Sequence, residues 1–100
     1  MAYTILLRTN SGTVVRQLID EDDVMTELLP PVDDPDFPYL SRIDPYDDTL
    51  FTPLQMRGLL PELRRLRELT LNPPEFLERV EELAEECMEA THVKLQFVGD

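Results

Sequence analysis

The chain has 100 residues, with 21 acidic side chains against nine basic ones, a formal charge of −12. That balance argues against nucleic-acid binding, in which Lys and Arg displace counterions from phosphates, and against anionic membrane surfaces. One cysteine excludes an intramolecular disulfide and a multi-cysteine metal site, and a single histidine leaves little material for nucleophilic or zinc chemistry.

Residues 1–100 are of a size for a single domain with one modest core, and 42% hydrophobic against 30% charged residues is a globular composition rather than a disordered one. Tyr3–Thr9 is rich in aromatic and β-branched residues and reads as a strand. Asn10-Ser11-Gly12 is a turn signal, and Thr13–Ile19 reads as a second strand, so the two form a β-hairpin. The run Ile5-Leu6-Leu7 is too apolar for an exposed edge, which would invite aggregation. The first strand is therefore expected at the centre of the sheet, between the second strand and the C-terminal one.

Asp20–Asp23 opens a short helix, since Asp is a good N-cap and early acids suit the helix dipole. Val24, Met25, Leu28 and Leu29 share its apolar face, and Pro30-Pro31 stops it. Residues 30–52 read as a long irregular segment carrying five prolines. It also holds Phe37, Tyr39, Leu40, Ile43, Tyr46, Leu50 and Phe51, a density of apolar side chains that predicts an ordered loop pinned to the core.

Thr52-Pro53-Leu54-Gln55 is a capping box with proline at the first helical position. Met56, Leu59, Leu60, Leu63, Leu66 and Leu69 then recur at helical spacing, and Pro61 inside the pattern should kink or split the helix. Arg64, Arg65 and Arg67 face outward. Asn72 or Pro73 starts the next helix, whose stripe is Phe76, Leu77, Val80, Leu83, Ala84 and Cys87, with seven glutamates over much of the rest. His92–Val98 alternates and reads as the last strand. The expected fold is α+β in two layers: a three-stranded antiparallel or mixed sheet, covered on one face by a helical hairpin.

No targeting segment is apparent. Ala2–Leu7 is too short for a signal-peptide core, and no run approaches the ~20 apolar residues of a membrane span. A cytoplasmic protein with a reduced thiol is expected.

The acidity is concentrated: residues 20–48 hold eleven acids and only one base, Arg42. None of these clusters continues into the alternating-acid-then-glycine pattern of a calcium loop, so no metal site is expected. The carboxylates lie on a proline-rich loop and an exposed helix face, where no catalytic partner is foreseeable, and no catalytic residue is assigned. Cys87 falls on an apolar stripe and reads as a small buried hydrophobe. His92 reads as a structural or surface residue. Gly12, Gly58 and Gly99 form no phosphate loop, and no cofactor is expected.

The stretch Phe37–Thr52 is the most distinctive, with aromatics interleaved among acids. Aromatic anchors supply binding energy at protein interfaces, and flanking charge supplies rate and selectivity. The candidate partner-binding residues are Asp33, Asp34, Asp36, Tyr39, Asp44, Tyr46, Asp47 and Asp48. The same aromatics could instead fill the space between helices and sheet; both roles are met if Phe37, Ile43 and Phe51 are buried while Tyr39 and Tyr46 stay partly exposed.

Leu40-Ser-Arg-Ile-Asp-Pro-Tyr-Asp-Asp-Thr-Leu-Phe51, the helix after it and the ending Leu95-Gln-Phe-Val-Gly-Asp100 resemble a group of short uncharacterised bacterial proteins. Those share a DPYxDTxF core and a terminal FxGD. The resemblance covers most of residues 37–100 and implies no activity and no catalytic residues. In size and charge the chain also looks like immunity proteins that block basic nuclease toxins.

The leading expectation is a non-enzymatic, acidic protein-binding module that neutralises a basic protein partner, with an immunity or antitoxin role as its concrete form. The alternative is a small-ligand-binding or enzymatic domain using the cleft between loop 30–52 and the helices. A third arrangement is a homodimer in which Arg64, Arg65 or Arg67 meets the Glu-rich helix of the other copy.

Overall fold

The computed structural model describes residues 3–99. Asp100, which closes the terminal motif, and the start of the Ala2–Leu7 apolar run lie outside them. Strands β1 (Thr4–Thr9) and β2 (Val14–Ile19) form the expected hairpin, closed through Gly12 at φ 102°, a backbone conformation that glycine adopts without strain. Then come α1 (Val24–Leu28), a single 3-10 turn (Leu40–Arg42), β3 (Asp48–Phe51), α2 (Met56–Leu69), α3 (Glu75–Glu89) and β4 (Val93–Val98).

The sheet is antiparallel with the order β2-β1-β4-β3. As the apolar run in β1 requires, this strand is internal: Ile5 lies opposite Leu18 on one side and Phe97 on the other. The expected three strands are four. The loop supplies the extra one, β3, in which Thr49 faces Phe97 and Phe51 faces Leu95. Four residues suffice because Phe51 is buried on the helix side and stacks edge-on against Phe97, with ring centroids 5.8 Å apart.

The helices cover one face of this sheet. Ile5, Leu7, Phe51, Leu95 and Phe97 join Leu59, Leu63, Leu77, Val80 and Cys87 in a continuous core. Capping follows local chemistry. Asp20, almost wholly buried, accepts the Val24 and Met25 N–H groups at 2.8 Å each and so starts α1. Thr52 N–H donates to Gln55 Oε1 at 2.8 Å, and Gln55 N–H turns back to Thr52 Oγ1 at 3.4 Å, so the capping box is present one turn ahead of regular α2. Helix α2 is not split at Pro61. Pro61 and Arg57, whose carbonyl its missing N–H cannot reach, are both exposed, so the lost bond falls on the solvent side of the helix. The cap of α3 is Pro74, with extended backbone, next to Pro73 as expected, and Asn72 takes a left-handed turn at φ 53°.

Residues 30–47 are held to α2 by one carboxylate. Glu62, buried, accepts the Tyr39 N–H at 3.1 Å and the Leu40 N–H at 2.9 Å. Beside it the Tyr39 ring lies flat against Gly58, where any Cβ would run into it. Phe37, Leu40 and Ile43 are buried around this contact, and Arg65 sits over the Phe37 ring at 5.7 Å. Glu62→Ala leaves the Leu40 and Tyr39 donors without their acceptor, at about 1–3 kcal/mol for each that stays dry. Urea unfolding should show a loss of that order, with the Leu40 amide exchanging faster; the Gln variant, which keeps one acceptor oxygen, should fall between.

Candidate functional site

The aspartates singled out in the sequence occupy two turns. Asp33, at φ 63°, Asp34 and Asp36 lie just before Phe37, and Asp34 Oδ1 accepts the Asp36 N–H at 3.0 Å. Asp44 and Asp47 lead into β3, of which Asp48 is the first residue. There Asp44 Oδ1 accepts the Tyr46 N–H at 2.8 Å and Asp47 Oδ1 accepts the Asp48 N–H at 2.7 Å, which builds the turn from its own side chains. None of these six forms an ion pair with Lys or Arg among the described residues.

Tyr46 is exposed, 75% of its surface open to water, as an interface anchor would be. Tyr39 is half-buried and fixed: it meets Gly58, lies 6.3 Å from the Phe51 ring and carries the Arg42 guanidinium at 5.2 Å. Asp48 points to the uncovered sheet face. Its Oδ2 accepts from Gln96 Nε2 at 2.8 Å, and Gln96 Oε1 accepts from Arg8 Nη1 at 2.9 Å, a polar line across three strands.

The two sequence motifs noted above touch each other. Gly99 N–H donates to the Asp47 carbonyl at 3.0 Å, and a side chain at Gly99 would meet the backbone of Asp44, Pro45 and Asp47. The glycine after β4 thus fits under the DPYDD turn, and the spacing of both motifs has a packing reason.

The outward arginines are occupied within one chain. Arg64 lies 3.3 Å from Glu85, and Arg67 Nε lies 2.8 Å from Glu81 Oε2, so the two helices clamp each other. The Arg–Glu pairing considered above between copies is made inside each copy for Arg64 and Arg67, while Arg65 is taken up by Phe37. Burial pushes the Glu81 carboxyl above its ordinary value, more than Arg67 and Arg64 pull it down. Burial likewise raises the Cys87 thiol to about 11, which keeps it protonated and inert in the core.

Phe37, Leu40 and Ile43 of loop 30–52 are buried in the core. A concavity of about 580 Å³ lies at the β2 edge, between that strand, the start of α1 and the first turns of α3. A second, of about 340 Å³, continues it along β2 and α3. Sequence reasoning missed this feature. The signal available was β2 itself: a strand with Val14, Val15 and Ile19 that the hairpin leaves with one open side. Among the described residues no group of His, Cys, Asp and Glu is arranged to hold a metal ion, and no helix is long and apolar enough to cross a membrane. Comparison with protein-family models, curated proteins and solved structures gives no match.

For Glu81 the sign of the pH effect follows from its direction. A carboxyl raised in the folded state adds stability that is complete below its unfolded value near 4.5 and is lost as pH rises through the folded value. The stability of wild type relative to Glu81→Gln should therefore fall as pH rises from 4.5, read by urea unfolding across a pH series. A difference that grows with pH would mean that the arginine pairs outweigh burial.

Proposed function

We propose that the chain is a cytoplasmic, non-enzymatic protein-binding module whose acidic surface docks on a basic protein partner. An immunity or antitoxin role, in which it occupies the phosphate-binding surface of a basic enzyme, is its most concrete form. The observation that carries this reading is the distribution of compensation. Arg16, Arg64, Arg67 and Arg79 pair with glutamates of α3, whereas Asp33, Asp34, Asp36, Asp44, Asp47 and Asp48 have no paired Lys or Arg among the described residues. Carboxylates without an ion pair among the described residues, with exposed Tyr46 between Asp44 and Asp47, suit electrostatic steering onto an aromatic anchor.

The test is association kinetics with the partner co-isolated from the native source, across a salt series. Steering over distances beyond about 10 Å is screened near 0.1 M salt, so the association rate should drop by about tenfold or more from low to high salt while dissociation changes little. Asp33→Asn, Asp34→Asn and Asp36→Asn together should reproduce the salt effect at unchanged thermal stability. A salt-independent rate, or a triple variant that associates as fast as wild type, assigns these aspartates to solubility instead.

A further inference from the structure

We infer that the free edge of β2 and the facing side of α3 form a docking groove for an extended, basic and apolar segment of a protein partner, which joins the sheet as a fifth strand. This surface is distinct from the aspartate turns, and it shares with the proposed function only the class of partner.

The backbone supplies the first argument. Asp20 N–H donates to the Tyr3 carbonyl at 2.9 Å. In an antiparallel ladder bonded and non-bonded pairs alternate, so Leu18 and Arg16 turn their backbone groups to β1. Gln17 and Ile19 turn theirs to the open side. Natural edges are commonly blunted by lysine, proline or a bulge. Here a bulge at Val15 disturbs the hairpin end, where Leu7 faces Arg16 but Arg8 faces Val14. From Arg16 to Ile19 the edge carries neither lysine nor proline, and Ile19 is 48% exposed.

The groove supplies the second. The two concavities share Gln17, Leu18 and Arg79, so they form one trough along the strand. Apolar side chains lie along it between polar ones: Leu18 and Phe76 are partly buried against the core and Leu83 is buried. A strand laid beside β2 would place alternate side chains over this trough, the recognition geometry of strand addition beside a helix.

Charge selects the occupant. Glu21 and Asp22 line one end and Glu82 the other, beside Glu86, which is paired with Arg16. The two arginines present are already engaged, Arg16 with Glu86 at 3.0 Å and Arg79 with Glu75 at 3.3 Å. A second copy pairing edge to edge would bring two acidic rims together, each on a chain of charge −12. A lysine- or arginine-bearing segment meets no such repulsion.

The probe is a capped heptapeptide of alternating valine and lysine, titrated into the full chain by heteronuclear NMR. Amide shifts should be confined to residues 14–24 and 75–86 and persist in the triple Asp33, Asp34, Asp36→Asn variant. Methylating the peptide's backbone nitrogens on one edge should weaken binding by about tenfold or more, the loss of one or two backbone hydrogen bonds. Gln17→Pro should do the same, since proline is tolerated where an edge N–H faces solvent. A valine–glutamate peptide should not bind. Equal binding of the methylated peptide, which leaves the protein unaltered, overturns strand addition. Shifts confined to residues 33–48 overturn the groove and leave the acidic-turn reading standing. Absence of binding, or self-association of the chain that protects the β2 amides, also overturns it.

Discussion

The contact on which the rest of the architecture depends is the carboxylate of Glu62 beneath the backbone of Tyr39 and Leu40. A segment with this many prolines and aspartates has few backbone bonds of its own to make. One buried acid, accepting two backbone N–H groups, fixes the 3-10 turn against α2 and is itself compensated by those donors. Once the turn is fixed, Tyr39 settles on Gly58, Ile43 enters the core and the chain reaches the sheet at the register that pairs Phe51 with Leu95. The segment that leads into the fourth strand is thus anchored on a helix side chain that follows it in the chain.

That dependence explains what was legible in the sequence. β1, β2, β4 and both long helices announce themselves through periodicity, and the central place of β1 follows from the apolar run Ile5–Leu7. The burial of Phe37, Ile43 and Phe51 was also readable, because apolar side chains that dense must find a core. β3 was not readable. Asp-Thr-Leu-Phe offers only two alternations, and its neighbours are turn formers. Glu62 was equally silent, since on α2 it is one more polar residue between leucines. The edge position of β2 followed from the central place of β1, but the groove did not, because it depends on which helix lies beside β2, which local pattern does not encode.

Charge is sorted by the same packing. The α3 glutamates next to α2 are met by Arg64 and Arg67, so the most glutamate-rich helix is partly neutralised by its own hairpin. The aspartate turns contain Arg42 alone, and its guanidinium lies over the Tyr39 ring. The field of the molecule is therefore set less by where acids are most numerous than by where the fold leaves them without a cation.

The position of β1 has a bearing on how the chain comes to be folded at all. Its partners are the earliest and the latest strands: Thr4 lies opposite both Ile19 and Val98. During synthesis the hairpin emerges before β4, so one side of its most apolar strand is open until β4 follows. Pairings of such long sequence separation close slowly, and an unpaired apolar strand is a template for intermolecular association in the meantime. The high density of negative charge that follows the hairpin, from Asp20 onward, keeps neighbouring nascent chains apart during that interval.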